Sequence, residues 1–594
     1  MRKFSTLLIL LMLFCVLAFA QNRVVTGTVT DEKGVAMEGA TVTIKGNKTG
    51  TYADANGIFK VSALEGSTLI ISGIGVTTQE FNIGNQTKLT LQITRNNTQL
   101  TAVVVTAAGI KKSERSVGYA ISKVDPSGLL QKSEPDILKN LQGKVAGVDI
   151  RSGLGTPGAA TRIQIRGNSS FYGETQPLII VDGVPYSNDQ IQTSDVLTGG
   201  GAYGNGIADI DPNDIASMNI LKGSSASALY GSRASNGVII ITTKSGSSGR
   251  NKKGTEVTFR SSVSFENVSN LPEYQNAYGT GSQGNASGGS NGSWGKNFAP
   301  GDSVAAWPDY LQAYPELFPN GMTAYKAYPT NTNDLFKTGV ITENSLGFNT
   351  GDAKTSFALT ASELSQTGYI ANNNYGRFNV SAGGSSKLDI GLNVSGNFSY
   401  SRSKQTGGLL GDNQNSESPS SQFARTLFLG RSWPVDLPYK DKNGNNVSWV
   451  GTQADNPLWA EQYNKQTTYD ERMVAGVHFD FNINKWIKVD YNFGSNVSYL
   501  NRQEINEVSS RGGLGKLAVD NYRAQELQST LLVSFTPNIG KDFSLKATLG
   551  TDYNQRTRTR ELGQGGYRNG GGGYIIRGVY TLQNFIPVYR KKIL

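Results

Sequence analysis

The 594-residue sequence predicts a mainly β, exported protein: a small N-terminal β-sandwich, a compact α/β domain, and a long antiparallel sheet patterned like a membrane-spanning barrel. Three observations predict it. An apolar leader opens the chain. Short apolar runs separated by turn-forming residues follow, up to about residue 95. From about Gly254, long segments alternate between apolar and polar residues, the period of a strand with one wet and one apolar face.

The leader comes first. Arg2 and Lys3 form a basic end, Leu7 to Phe19 an apolar run, and Ala18-Phe19-Ala20 a cleavage site before Gln21. Residues 1–20 therefore read as a signal peptide, too short for a membrane anchor. Leu13-Phe14 ahead of Cys15 argue against a lipoprotein signal. Cleavage removes Cys15, the only cysteine, so the mature chain has no disulfide, thiol nucleophile or cysteine ligand. His478 is the only histidine, which all but excludes a histidine triad or multi-histidine metal site. No cofactor and no metal are expected. The formal charge is +10, and Arg2 and Lys3 carry two of those charges, leaving +8 on the mature chain. No basic stripe with interleaved aromatics appears, which argues against nucleic acid. The 71 glycines, 26 tyrosines and 23 phenylalanines suit a large exported β-protein. No later apolar run reaches the length of a membrane helix, so any span must be made by strands.

Residues 22–95 read as an all-β sandwich. The runs Val24–Val29, Ala40–Ile44, Gly57–Val61 and Thr68–Ser72 are separated by Asp/Gly/Asn-rich turns. Residues 96–118 form a polar linker with one β-branched run: Leu100, Thr101, Ala102, Val103, Val104, Val105 and Thr106. Such a run is an aggregation hazard unless it finds a partner, and it is suited to adding a strand to another protein's sheet edge. The other reading is an ordinary buried strand of the next domain.

Residues 119–250 form the α/β domain. Ser133-Glu-Pro-Asp reads as the cap of a helix ending at Leu141, with Pro135 in its first turn. Ile163–Arg166, Leu178–Asp182 and Val238–Thr242 are expected as central strands, with Ile179, Ile180, Ile220, Val238 and Ile240 in the core. Residues 212–246 place a short polar-capped helix, a strand and a Gly/Ser/Ala-rich turn before Val238–Ile241. That last run has no alternation, so both its faces should be buried.

From 254 to 594 the alternation dominates. Leu388, Ile390, Leu392, Val394, Phe398 and Tyr400 alternate with polar residues. So do Ile487, Val489, Tyr491, Phe493, Val497 and Tyr499, then Leu527, Leu531, Val533 and Phe535, and lastly Phe543, Leu545, Ala547 and Leu549. A tilted membrane strand takes roughly 9–11 residues, and these runs reach that length. Tight turns are expected at Gly351–Lys354, Gly384–Lys387, Asn482–Lys485 and Asn538–Asp542. Long polar loops are expected at 270–340, 403–472 and 501–523. Short turns at one rim and long loops at the other suit an outer-membrane barrel.

Several segments together resemble one family. The stretch from Leu221-Lys222-Gly223 through Tyr230-Gly231-Ser232-Arg233 and Asn236-Gly237 into Val238–Lys244 is similar to the end of the plug in SusC/RagA-type TonB-dependent outer-membrane receptors. "LQGKVAGV", "IRG" and "PLIIVDGVPY" match the same plug in the same order over about 130 residues. The order V-x-G-x-V-x-D-x-x-G followed by T-x-x-D-x-x-G-x-F resembles the carboxypeptidase-regulatory-like domain at the front of such receptors, with no zinc ligands or peptidase residues beside it. The resemblance implies a β-sandwich, an α/β plug domain at 119–250 and a transmembrane antiparallel β-barrel from 254 to 594. It makes Leu100–Thr106 the TonB box. It implies TonB, with ExbB and ExbD, as energy source, a SusD/RagB-like surface lipoprotein as partner, outer-membrane lipid around the barrel, and a glycan or peptide as substrate. The class is a transporter and not an enzyme. About ten strands can be counted, whereas plugged barrels of this class close with 22. The barrel is therefore expected to be incomplete, the chain being the N-terminal part of a longer receptor through fragmentation, a split gene or a frameshift.

Four features carry no function in this reading. Gly279-Thr-Gly-Ser-Gln-Gly spells a dinucleotide fingerprint but follows no buried strand. Asp441-Lys-Asn-Gly-Asn-Asn lacks the distal glutamate of a calcium loop. His478 falls on the polar phase of its strand, and Asp182 reads as a turn former. The alternative from another class is a surface adhesion protein with an immunoglobulin-like head and no transport, against which the plug-like segments argue.

Overall fold

The computed structural model describes residues 23–593 except 33, 48–49, 74–77, 85, 94–102, 106–110, 114–120, 153–155, 168–174, 189–203, 223–229, 245–253, 291, 408–421, 452–453, 512–514, 538, 540–544, 569–572 and 585–591. The signal peptide, Leu100–Ala102, Thr106, Gly223 and Phe543 lie outside the described residues. The chain divides into two units at the linker.

The first unit is the sandwich. Its strands are β1 (Arg23–Thr30), β2 (Thr41–Ile44), β3 (Gly50–Tyr52), β4 (Ile58–Ala63), β5 (Thr68–Ser72), β6 (Gln79–Asn82) and β7 (Lys88–Gln92). They form two sheets, β4-β1-β7 and β3-β2-β5-β6. Inward-pointing Val25, Val29, Val42, Phe59, Leu69 and Ile71 meet between them. β3, β6 and β7 are too short or too polar to stand out in the sequence. In the linker, β8 (Val103–Val105) pairs with β9 (Lys111–Ser113) in a separate two-stranded sheet.

The second unit begins with the α/β domain. Its strands are β10 (Ile121–Val124), β11 (Val148–Ser152), β12 (Thr161–Ile165), β13 (Leu178–Val181), β14 (Val184–Tyr186), β15 (Ile215–Leu221) and β16 (Val238–Thr243). The central sheet runs β10-β15-β16-β13-β14. β16 lies in its middle, parallel to β13 and antiparallel to β15, and Val238 to Ile241 are buried on both faces. Ile179, Ile180, Ile220, Val238 and Ile240 are all core residues. The segment Ile163–Arg166 is not central. β12 pairs only with β11, in a separate two-stranded sheet, and Arg166 leaves the strand at φ +59. Its apolar phase packs Ile163 and Ile165 beneath the central sheet, which periodicity cannot distinguish from membership of it. The helix ending at Leu141 is a 3₁₀ helix, Ile137–Leu141. Its cap is Asp136, whose Oδ1 accepts from Leu138 N at 2.9 Å, so Pro135 precedes the cap.

The long sheet starts with β17 (Gly254–Glu266). Small hairpins β18 (Gly281–Ser282)–β19 (Asn285–Ala286) and β20 (Ser303–Ala305)–β21 (Met322–Ala324) occupy the loop that follows. Then come β22 (Gly339–Gly351), β23 (Thr355–Thr367), β24 (Asn374–Lys387), β25 (Leu392–Gly407), β26 (Lys465–Asn482), β27 (Ile487–Asn506), β28 (Lys516–Phe535), β29 (Ala547–Arg568) and β30 (Gly573–Asn584), with β31 (Lys592–Ile593) on β29. All pair antiparallel in chain order. Among the described residues the path does not close: β17 pairs only with β22, and β30 only with β29. Its outward phase leaves large apolar side chains in the open, such as Phe259 (70 % exposed), Val257, Phe357, Phe398 and Phe493. Among the described residues no helix is long and apolar enough to cross a membrane.

Four expectations are corrected. Leu388 and Ile390 lie in the turn between β24 and β25, and Gly384–Lys387 lies inside β24. The loop expected at 501–523 shrinks to 507–515, because β27 and β28 are each 20 residues long, about twice the roughly 9–11 residues a tilted membrane strand takes, and a strand that long can carry polar residues at its end. The loops are also not merely polar. The described residues of 267–338 and 422–464 fold together around Trp307, Tyr310, Phe318, Trp433 and Trp449, with Trp433 stacked on Trp449 at 5.5 Å. Buried Asp455 ties them down, accepting from Asn446 Nδ2 (2.5 Å), Asn464 Nδ2 (3.0 Å), Ser510 Oγ (2.7 Å) and Arg511 N (2.7 Å).

Candidate functional site

The inner face of the sheet wraps the α/β domain. Eight strands reach it with hydrogen bonds or ion pairs, so the sheet must curve around it. The contacts are polar because the wall's inward phase is polar and the domain's apolar groups are spent on its own core.

The tip of the β13–β14 hairpin is Asp182-Gly183, both at positive φ (48° and 84°). That is a two-residue turn of the type that matches strand twist. Asp182 is more than a turn former. Its carboxylate accepts from Thr243 N (2.9 Å), Thr243 Oγ1 (2.6 Å) and Asn397 Nδ2 of β25 (3.1 Å). It thus links hairpin, central sheet and wall. Loss of water pushes its pKa up to about 6. Asn492 and Asn496 of β27 donate to Gly183 O and Pro185 O, each at 3.4 Å.

The acidic turn Asp209-Ile-Asp-Pro-Asn-Asp214 makes the densest contacts. Arg472 of β26 pairs with Asp209 (Nε to Oδ2, 3.0 Å), donates to Ser187 O (3.1 Å) and lies 4.4 Å over the Tyr186 ring. The two side chains are 6 % and 4 % exposed. Asn379 donates to Asp209 O (2.6 Å), and Arg377 to Pro135 O (2.8 Å) and Ala208 O (2.7 Å). Gly206 allows this close approach: a Cβ there would sit 2.2 Å from Ser187 O and 2.5 Å from Arg472 Nη2. Asp211 caps the turn through Asn213 N (2.8 Å), and Asn213 Nδ2 donates to Glu343 of β22 (3.0 Å) while accepting from Arg260 of β17 (3.3 Å). Asp214 is buried, and desolvation together with Asp211 and Asp182 raises its pKa to about 8.

The motif residues serve both the fold and the wall. Leu221 is buried, and Tyr230 packs against it with Ala234, Val238 and Ile240. Lys222 Nζ donates to Ala146 O (2.6 Å), and Asn236 to Gln176 O (3.4 Å). Gly231-Ser232 open the 3₁₀ turn Gly231–Ala234, and Gly237 leads into β16. Arg233 reaches the wall, pairing with buried Glu526 of β28 at 2.6 Å, and Arg556 of β29 donates to Ser187 Oγ at 2.8 Å. Sequence reasoning missed Asp209, Arg377 and Arg472. The available signal was arginine on the inward phase of a membrane strand together with an acid-rich turn in the domain inside.

Gly279–Gly284 runs into the β18–β19 hairpin, and Asp441 closes a turn on Asn443 N and Asn445 N. His478 faces inward with Asp480 and Asp490, but Lys488 Nζ bridges those two carboxylates at 2.6 and 2.9 Å. The lysine already supplies the positive charge a metal would bring.

Residues 113–238 match the TonB-dependent Receptor Plug Domain, and residues 25–105 the CarboxypepD_reg-like domain. The chain is 32 % identical over 371 residues to the TonB-dependent receptor SusC of Bacteroides thetaiotaomicron, covering 61 % of this chain and 32 % of that one. It is 28 % identical over 538 residues to the TonB-dependent receptor P3 of Formosa agariphila, covering 87 % of this chain and 46 % of the other. The chain thus spans less than half the length of either relative. In fold it is similar to the RagAB peptide importer in its closed-closed state, with a TM-score of 0.58 at 19 % identity, covering 79 % of this chain and 52 % of that one. The order of sandwich, plug and wrapping sheet agrees with these matches, and the chain is a SusC/RagA-type TonB-dependent receptor, a class of receptors and not of enzymes.

Proposed function

We propose that this chain acts as the transporter subunit in TonB-dependent import of oligosaccharides or peptides across the outer membrane. One observation carries the reading: a compact plug is held inside a strand wall by polar contacts to eight strands, with little shared apolar core. Hydrogen bonds and ion pairs can be exchanged for water, as at transient interfaces, so a plug held this way can be shifted without unfolding the barrel.

The linker supplies the handle. Among the described residues β8 pairs only with β9, in a separate two-stranded sheet, a marginal structure in water. Its Val103–Val105 can leave that partner and add to the sheet of TonB, whose energy comes through ExbB and ExbD. Force then enters the plug just ahead of β10. On the other side, the Trp-rich loop unit offers a preformed surface to a SusD/RagB-like lipoprotein. The apolar outward phase faces outer-membrane lipid. The signal peptide, the sandwich at 22–95, the linker at 96–118, the plug at 119–250 and the barrel portion from 254 belong to this reading.

Uptake by cells carrying the receptor, with and without functional TonB, tests it. The receptor should fractionate with the outer membrane, and uptake should require TonB. Recovery as a secreted soluble protein, or equal uptake without TonB, would refute it.

A further inference from the structure

At the foot of the loop unit lies a cavity of about 900 Å³ between the segment leaving β17 and the segment entering β22. That volume is in the range of small-ligand sites. Its lining includes Asn267, Asn270, Tyr274, Asn333, Phe336 and Thr338. Its charged side chains are one acid, Glu273, and one base, Lys337, so they cancel. The remaining polar groups are amides and hydroxyls, which both donate and accept.

The walls are fixed before any ligand arrives. Thr338 Oγ1 donates to Asn267 Oδ1 at 2.7 Å, joining the two segments. Tyr274 donates to Leu427 O at 2.9 Å, and the Arg431 guanidinium stacks on its ring at 4.3 Å. Arg431 is buried and in turn held by Asn331 Oδ1 (2.5 Å) and Thr332 Oγ1 (3.0 Å). Phe336 packs against Tyr369 at 6.1 Å, and Lys337 N donates to Tyr369 O at 2.7 Å. Amides at the edge of fixed aromatic rings suit one ligand chemistry. A neutral sugar presents hydroxyls that need partners able to donate and accept, and an apolar ring face that covers an aromatic side chain.

We propose that this cavity is a saccharide-binding subsite for an uncharged oligosaccharide, with Tyr274 and Phe336 as stacking surfaces and Asn270 and Asn333 as hydroxyl partners. The proposal rests on the importer reading for the direction of transport only.

Titration calorimetry on the full chain in detergent tests it, using malto-, cello- and xylo-hexaoses, with mixed casein peptides as the second arm. At least one hexaose should bind. Phe336→Ala should weaken that binding about tenfold or more. Asn270→Ala with Asn333→Ala, both on exposed positions, should weaken it comparably without touching the fold. Binding of peptides alone, or saccharide binding indifferent to the Phe336 and asparagine variants, would overturn the assignment while leaving the importer reading standing. Saccharide binding lost in those variants, in a receptor whose uptake ignores TonB, would uphold the subsite and sink the importer reading instead.

Discussion

Arg472→Met removes the charged fork that joins the wall to the plug while keeping the stem beside Tyr186. Asp209 stays buried, and among the described residues of the wall its carboxylate keeps only a 3.5 Å contact from Ser403 Oγ. Breaking one partner of a buried ion pair costs about 3–5 kcal/mol, which raises the population of loosened plug by roughly two to four powers of ten. Cys15 is the one cysteine of the sequence, and Cys15→Ser leaves a clean background for a reporter. Ser401 is buried on the inward phase of β25, two residues from Ser403, and among the described residues its hydroxyl has no hydrogen-bond partner. Ser401→Cys should therefore be quiet, and its maleimide labelling should follow plug opening. Arg472→Met should raise the labelling rate at least a hundredfold. The gap should narrow on acidification, because the stranded Asp209 then takes up a proton. Arg402→Met, which removes a pair with Glu471 that is exposed on both sides (3.4 Å), should change the rate little. A labelling rate in Arg472→Met within about twofold of the parent would refute the claim that this pair holds the plug.

Gly206→Ala places a methyl against the Ser187 carbonyl, which cannot swing away, and should loosen the plug by about 1–3 kcal/mol in the same labelling experiment; a silent variant would show that the turn has slack. Asp214 and Asp182 have native pKa values raised above those of the unfolded chain, so the native state holds the extra protons. The stability they contribute is complete near pH 4 and is lost as pH rises through about 6 for Asp182 and about 8 for Asp214. The urea midpoint should thus fall between pH 6 and 8, and Asp214→Asn should flatten that slope; an unchanged slope would contradict the assignment. Trp433→Ala removes half of a buried stack and should cost the loop unit about 3–5 kcal/mol, seen as proteolysis within 408–464 while the barrel strands stay protected. Equal resistance would mean that the loops do not depend on that core.

The strands of the long sheet and of the plug's centre were legible because their information is local. Val238–Ile241 announces burial on both faces, and Asp182-Gly183 announces a tight hairpin. Boundaries failed where two physical states share one pattern. Leu388 and Ile390 keep the alternation into a turn, and Asn501–Glu504 lose it although β27 runs on to Asn506. The contacts that hold the plug were not legible. Arg472 and Asp209 are 263 residues apart, and nothing within either segment names the other. The Trp-rich loop core was hidden for the same reason, since Trp307 and Trp433 meet only when two loops fold against each other, both donating to Gly288 O at 2.8 and 2.9 Å.

The central claim is that force on the linker, delivered through an added β-strand, moves the plug. Val104→Pro removes a backbone donor and fixes φ within β8, which blocks strand addition. In the complete receptor in living cells, TonB-dependent uptake should be lost, with outer-membrane assembly and ligand binding unchanged. Uptake at the parental rate in Val104→Pro would contradict the account.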